Sequence, residues 1–241
     1  MIVHRKSGER GHFNYGWLET YHSFSFGTYY DPENVQFGPL RVLNEDFIQG
    51  GTGFDTHPHQ NMEIVTYVLS GTLEHKDSTG GEGLIKAGEL QRMSAGSGIY
   101  HSEKNASETE SVHLMQIWFT PEKEGIEPGY EQKEVSVGAE NLFTPVVTKG
   151  GGDGMLDINQ DITVYVGDLP EGDTGFIEIK EGRLGYLHNS LTGKILVNGI
   201  EMEPGDGLKI TGHEKLDFEA KSDSRLILFD MLTLDTKETA N

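Results

Sequence analysis

The 241-residue sequence predicts an all-β protein of two small barrels packed together, and three observations carry that expectation. Glycine is abundant, at 32 residues, as tight turns require. Short runs of Val, Ile, Leu, Tyr and Phe stand between those turns at roughly the spacing of sandwich and barrel strands. The two halves also echo one another: residues 84–90 parallel 200–208, with Gly205-Asp206 where Gly88-Glu89 stand. Tyr67 likewise parallels Tyr186, and 113–119 parallels 226–232.

The elements follow in order. Residues 63–69 (EIVTYVL) are β-branched and aromatic and end at the turn Ser70-Gly71; 72–76 (TLEHK) resume, and 77–83 (DSTGGEG) form a loop. Short strands at 84–86 and 90–93 flank Ala87-Gly88, and 94–98 (SAGSG) turn again. Residues 112–120 (VHLMQIWFT) make the longest strand candidate, which Pro121 ends. The charged stretch 122–134, with Pro128 and Gly129, reads as a connector, and 149–154 (KGGGDG) as a second one. Strand patterns return at 162–166, 175–179, 185–188, 194–197, 207–210 and 226–232. The expected division is 1–134 and 135–241.

The formal charge is −20 and the isoelectric point near 4.8, so contact with nucleic-acid phosphates or anionic lipid is disfavoured. There is no cysteine, which leaves imidazole and carboxylate as the metal-binding groups. Residues 1–11 carry His4, Arg5, Lys6, Glu9 and Arg10 and no apolar core of a signal peptide, so a cytoplasmic location is expected.

The informative segment is Thr56-His57-Pro58-His59. In a strand, residues two apart share a face with Cα atoms ~7 Å apart, so both imidazoles can lean onto one ion. Pro58 donates no ladder bond and marks a strand start or an edge. Further on, His101-Ser102-Glu103 repeats the spacing with a carboxylate. Two such pairs on neighbouring strands make a site of three histidines and one carboxylate, suited to Fe(II), Mn(II), Ni(II), Cu(II) or Zn(II). Six-coordination would leave two positions open.

The run His57-x-His59-x3-Glu63, closed by Gly71, resembles the first cupin motif. Gly88-x5-Ser94-x-Gly96-x4-His101-x3-Asn105 resembles the second, with Ser94 where proline is usual and a longer loop before the histidine. The specific form of both, with Arg10-Gly11-His12, His22-Ser23-Phe24-Ser25-Phe26, Tyr29-Tyr30-Asp31-Pro32, Gly38-Pro39-Leu40-Arg41-Val42 and Gln116-Ile117-Trp118, resembles the pirin family of bacterial bicupins. The likeness spans the chain and is tightest through about residue 132. It implies a bicupin of two Greek-key or jelly-roll barrels. It also implies metal ligation by His57, His59, His101 and Glu103 in the first half, and a degenerate, metal-free second half.

The same resemblance implies quercetin 2,3-dioxygenase activity, with Fe(II) favoured and Mn, Ni, Cu, Co or Zn as alternatives. Glu103 would be the catalytic base for the flavonol 3-hydroxyl, and O2 would open the ring with loss of carbon monoxide. The partners expected are a flavonol or related enol and O2, without nucleic acid or membrane. The alternative is a non-catalytic redox sensor or regulatory protein of the pirin type. A cupin isomerase or sugar-binding barrel fits less well, because there the first-motif glutamate is usually a ligand. Glu63 is expected behind the ligands, orienting an imidazole, or as a part-buried strand residue. Phe54 and residues 115–119 are candidates for the pocket wall. His75, His113, His188 and the His213-Glu214 pair have no paired ligand and are expected to be core or surface, and His4, His12 and His22 are assigned no chemistry.

Overall fold

A computed structural model describes residues 1–135, 137, 142–190 and 193–233. Among them the only helical element is a 3-10 turn at Ser7–Glu9; the other elements are strands in four sheets. Among the described residues no helix is long and apolar enough to cross a membrane.

The first barrel has a seven-stranded sheet in the order Gly129–Glu134, Glu89–Ser94, Glu63–Ser70, Val112–Phe119, Leu40–Ile48, Leu18–His22, Gly11–Asn14. A four-stranded sheet packs on it, in the order Gly53–His59, Ile99–Asn105, Thr72–Asp77, Glu82–Lys86. The second barrel repeats the plan. Its seven-stranded sheet runs Ile2–Arg5, Gly207–Thr211, Arg183–Asn189, Ser224–Leu232, Ile162–Leu169, Thr144–Thr148, Leu156–Asp157. Its four-stranded sheet runs Thr174–Ile179, Glu214–Ala220, Ile195–Val197, Ile200–Met202. The inner five strands of the large sheets and all four strands of the small sheets match in order, and only the outermost strands differ, so the sequence echo is a true structural repeat: a bicupin. Ile2–Arg5 is the exchange between halves, pairing with Gly207–Thr211 at the edge of the second barrel's sheet.

The large sheets pack against each other, which explains the nearly unbroken apolar runs of their central strands. Leu43, Val65, Met115 and Ile117 meet Val164, Val166, Ile227 and Phe229 in one core, with Tyr67 and Tyr186 both buried there. Alternation along the strands turns Asn44, Asp46, Gln116 and Trp118 to the opposite face, toward the interior of the first barrel.

The stretch 122–134 is not all connector: Gly129–Glu134 pairs along its whole length with Glu89–Ser94. As a part-buried edge strand it needs no apolar alternation, so its sequence carries no period to read.

Candidate metal centre

Gly53–His59 and Ile99–Asn105 are adjacent antiparallel strands, with His57 opposite His101 and Ile99 opposite His59. The register then slips, so that Glu103 faces Phe54. The extra residue between Phe54 and His57 is a β-bulge, which brings Phe54 to the same cavity wall as the histidines. The donor atoms of His57, His59 and His101 all lie within 4.8 Å of one another. With metal–nitrogen bonds of ~2.0–2.1 Å, a small inward movement would seat one ion among them.

Hydrogen bonding orients these rings. Asp55 carbonyl oxygen accepts from His57 Nδ1 at 2.7 Å, so in the neutral ring Nε2 keeps its lone pair. That atom lies 3.0 Å from His101 Nε2. Burial and the neighbouring imidazoles push His101 down to about 2, and burial with His57 pushes His59 down to about 4. Both rings are therefore neutral at ordinary pH, as metal ligation requires.

Glu103 is buried and turned toward the barrel floor. Its Oε1 accepts from Gln91 Nε2 at 2.7 Å and from Thr66 Oγ1 at 3.2 Å, and its Oε2 accepts from Gln116 Nε2 at 2.7 Å. Burial, with Asp46 nearby, raises its carboxyl to about 7. Glu103 thus lies close to His101, but its donor atoms group with those of His101 and His75 rather than with all three ligand-candidate histidines.

His75, expected in the core or on the surface, is a core residue that stands beside this region. It is fully buried, its Nε2 lies 3.0 Å from Asp77 Oδ2, and its ring is 5.3 Å from that of His101 and stacked on Tyr130 at 4.6 Å. The His75-x-Asp77 alternation was the available signal, but only the sheet pairing sets it beside His101 and Glu103.

Glu63 does not orient an imidazole. Its Oε2 accepts from Ser94 Oγ at 2.9 Å and from Asn159 backbone N and Nδ2 at 3.2 and 3.3 Å, tying the two halves together. Ser94, the departure from the usual cupin proline, supplies one of those donors.

The histidines open onto a cavity of about 830 Å³. Trp17 and Phe54 meet edge to face at 5.1 Å on its wall, and Trp118 stands edge-on to Phe26 at 5.3 Å and to His59 at 4.8 Å. His22 also lines it, which its sequence position did not indicate. His113 pairs instead with Glu45 at 3.0 Å, on the face toward the second barrel, and His188 is buried there. His213 is exposed and paired with Glu178. At the second barrel's counterpart of Ile99–Asn105, the strand Glu214–Ala220 buries Leu216, Phe218 and Ala220, so apolar side chains fill the space.

Fold and site together define a bicupin with a cluster of histidines in one barrel whose donor set suits a divalent metal ion. The chain belongs to the pirin family: the Pirin model matches residues 3–119, and a model described as the quercetinase C-terminal cupin domain matches 145–231. It is 45% identical over 232 residues to quercetin 2,3-dioxygenase of Escherichia coli K12, covering 96% of this chain and 99% of that one. It is 38% identical to a pirin-like protein of Caulobacter vibrioides, covering 95% and 99%. Among solved structures it is similar to the bacterial pirin YhhW of E. coli in complex with nickel(II), with a TM-score of 0.91 and 44% identity, covering 97% of this chain and 100% of that one.

Proposed function

We propose that this chain is a metal-dependent dioxygenase that cleaves a flavonol such as quercetin with O2 and releases carbon monoxide. The observation that carries the proposal is the convergence of His57, His59 and His101 at the wall of an aromatic-lined cavity large enough for a three-ring ligand. The names of relatives at this identity support the flavonol, and the nickel(II) of the E. coli pirin supports a divalent ion.

In this reading His57, His59, His101 and Glu103 hold the ion, with Fe(II) favoured. A bound ion would supply Lewis acidity for the substrate enol and an electron path to O2. Glu103 turns from Gln91 and Gln116 toward the histidines and takes the proton of the flavonol 3-hydroxyl onto its carboxylate. Trp17, Phe54 and Trp118 hold the rings flat and keep water from them. Both atoms of O2 enter the products, carbon monoxide leaves as the excised carbon, and no outside reductant is consumed. Residues 1–134 form the metal-binding half in this reading, and 135–241 its metal-free companion.

The test is oxygen-dependent quercetin loss by iron-reconstituted protein, with carbon monoxide detected and His59→Ala as control. Release by the wild type alone is the expected result. Absence of turnover from protein holding one metal ion per chain would overturn the enzymatic reading in favour of a sensor acting through protein partners. The part-exposed His57 and His59, reachable through the cavity, speak for the enzyme.

A further inference from the structure

Behind the three histidines the small sheet carries a second polar pair that does not line the cavity. Register places Asp77 opposite His101 and His75 opposite Glu103, so all four side chains share one face of two adjacent strands. The side chains of His75 and Asp77 have no exposed surface, and His101 and Glu103 are 2% exposed. Asp77 is held firmly. Its Oδ1 accepts from Thr79 N at 2.8 Å, Thr79 Oγ1 at 2.6 Å and Gly81 N at 3.0 Å. Its Oδ2 is left for His75 Nε2 at 3.0 Å.

The remaining ring nitrogens, His75 Nδ1 and His101 Nδ1, are both buried without a hydrogen bond. Leaving two such atoms unpaired is costly, and solvent does not reach either. The rings stand 5.3 Å apart at 51°, and a nitrogen of each lies within 4.8 Å of one on the other. Their protons make them complementary. A carboxylate only accepts, so Asp77 keeps the His75 proton on Nε2 and leaves Nδ1 an acceptor. His101 Nε2 faces His57 Nε2 at 3.0 Å. If that atom gives its lone pair to an ion, the His101 proton sits on Nδ1, a donor. Two other groups stand near the pair. Glu103 already accepts from Gln91, Thr66 and Gln116 and, in the reading above, moves to the ion. Tyr130 stacks on the His75 face and gives its hydroxyl to Gln132 Oε1 at 2.9 Å.

We propose that Asp77 and His75 are positioning residues for the metal centre: Asp77 fixes the His75 proton, and His75 Nδ1 accepts the Nδ1 proton of His101. The proposal rests on His101 being a ligand, as in the reading above, and adds two residues that touch neither ion nor substrate. The gap between the two Nδ1 atoms closes as His101 turns onto the ion, as such bonds tighten in loaded sites. The chain from Asp77 through His75 then holds His101 in one tautomer with Nε2 toward the ion, and makes that nitrogen a stronger donor.

The experiment pairs Ni(II) affinity, read by competition with a chelator, with histidine-15N NMR of zinc-loaded protein. His75→Leu removes the acceptor. Asp77→Asn can keep its oxygen on Thr79 and Gly81 while its amide N–H meets His75, which moves the His75 proton to Nδ1 and sets donor against donor. Each variant should bind Ni(II) about 10–100-fold more weakly than wild type. In wild type the His75 proton should lie on Nε2, with a coupling across the hydrogen bond between the two Nδ1 atoms. In Asp77→Asn that proton should lie on Nδ1 and the coupling should be gone, a change that a merely structural role would not produce. A wild-type His75 proton on Nδ1, or affinities within about threefold of wild type in both folded variants, would overturn the pair while leaving the histidine site intact. Two ions per wild-type chain, one of them lost in His75→Leu, would make His75 a ligand and also overturn it. No metal bound by wild type would overturn both readings. The wild-type spectrum decides alone if the variants do not fold.

Discussion

His57 Nε2 and His101 Nε2 lie 3.0 Å apart across one rung of an antiparallel ladder. Asp55 fixes the His57 proton on Nδ1, so this contact holds either a single shared proton or, with both lone pairs bare, a cation. Replacing His101 with Ala should therefore drop bound metal from about one ion per chain to under about a tenth, since a ligand in the donor set is lost. Metal analysis after gel filtration measures this. Full occupancy in His101→Ala would remove the histidine pair from the site.

Metal should also stabilise the fold by mass action. At free ion about a hundredfold above Kd the gain is ~2.7 kcal/mol, or roughly 5–10 °C in Tm for a chain of this size. Calorimetry with and without Fe(II) or Ni(II) measures the shift, which His59→Ala should abolish. A rise of equal size in that variant would mean binding elsewhere.

Glu63 offers a contrasting case within one motif. Its bonds to Ser94 and Asn159 predict that Glu63→Leu loses about 1–3 kcal/mol of stability, because buried donors are left unpaired. Metal affinity should change by less than about threefold, well under the effect typical of groups that position ligands. Urea melts and metal competition read the two quantities separately, and a tenfold loss of affinity with unchanged stability would contradict the assignment.

Stability should fall on mild acidification. Burial, with Arg10 nearby, lowers His188 from 6.5 to about 4. Between those values the unfolded chain takes up a proton that the folded chain refuses, so this contribution is complete above about 6.5 and is lost as pH falls toward 4. The shift corresponds to something on the order of 3 kcal/mol. Burial lowers His22 to about 4 with the same sign. Denaturation from pH 7 to 4 should show a shallower loss for His188→Gln than for wild type, and parallel curves would refute the role given to His188.

Much of this protein is legible in its sequence. The glycine turns, the β-branched runs and the echo of 84–90 in 200–208 led to two like barrels, because strand period and turn chemistry are local properties. The pairs His57/His59 and His101/Glu103 were legible for the same reason, since residues two apart must share a strand face. The resemblance of both motifs to those of pirins supplied the family.

What depends on which strands become neighbours was not legible. Pairing alone set His75 beside His101, made an edge strand of Gly129–Glu134 and lent Ile2–Arg5 to the other barrel. Packing of the two large sheets turned Glu63 toward Asn159 instead of toward the ligands. The bulge before His57 likewise exists only in the assembled sheet. Fold class and candidate donor atoms are legible in the sequence because period and spacing act over a few residues. Their neighbours follow from sheet assembly, because cross-strand contacts join residues far apart in the chain and no local pattern encodes that register.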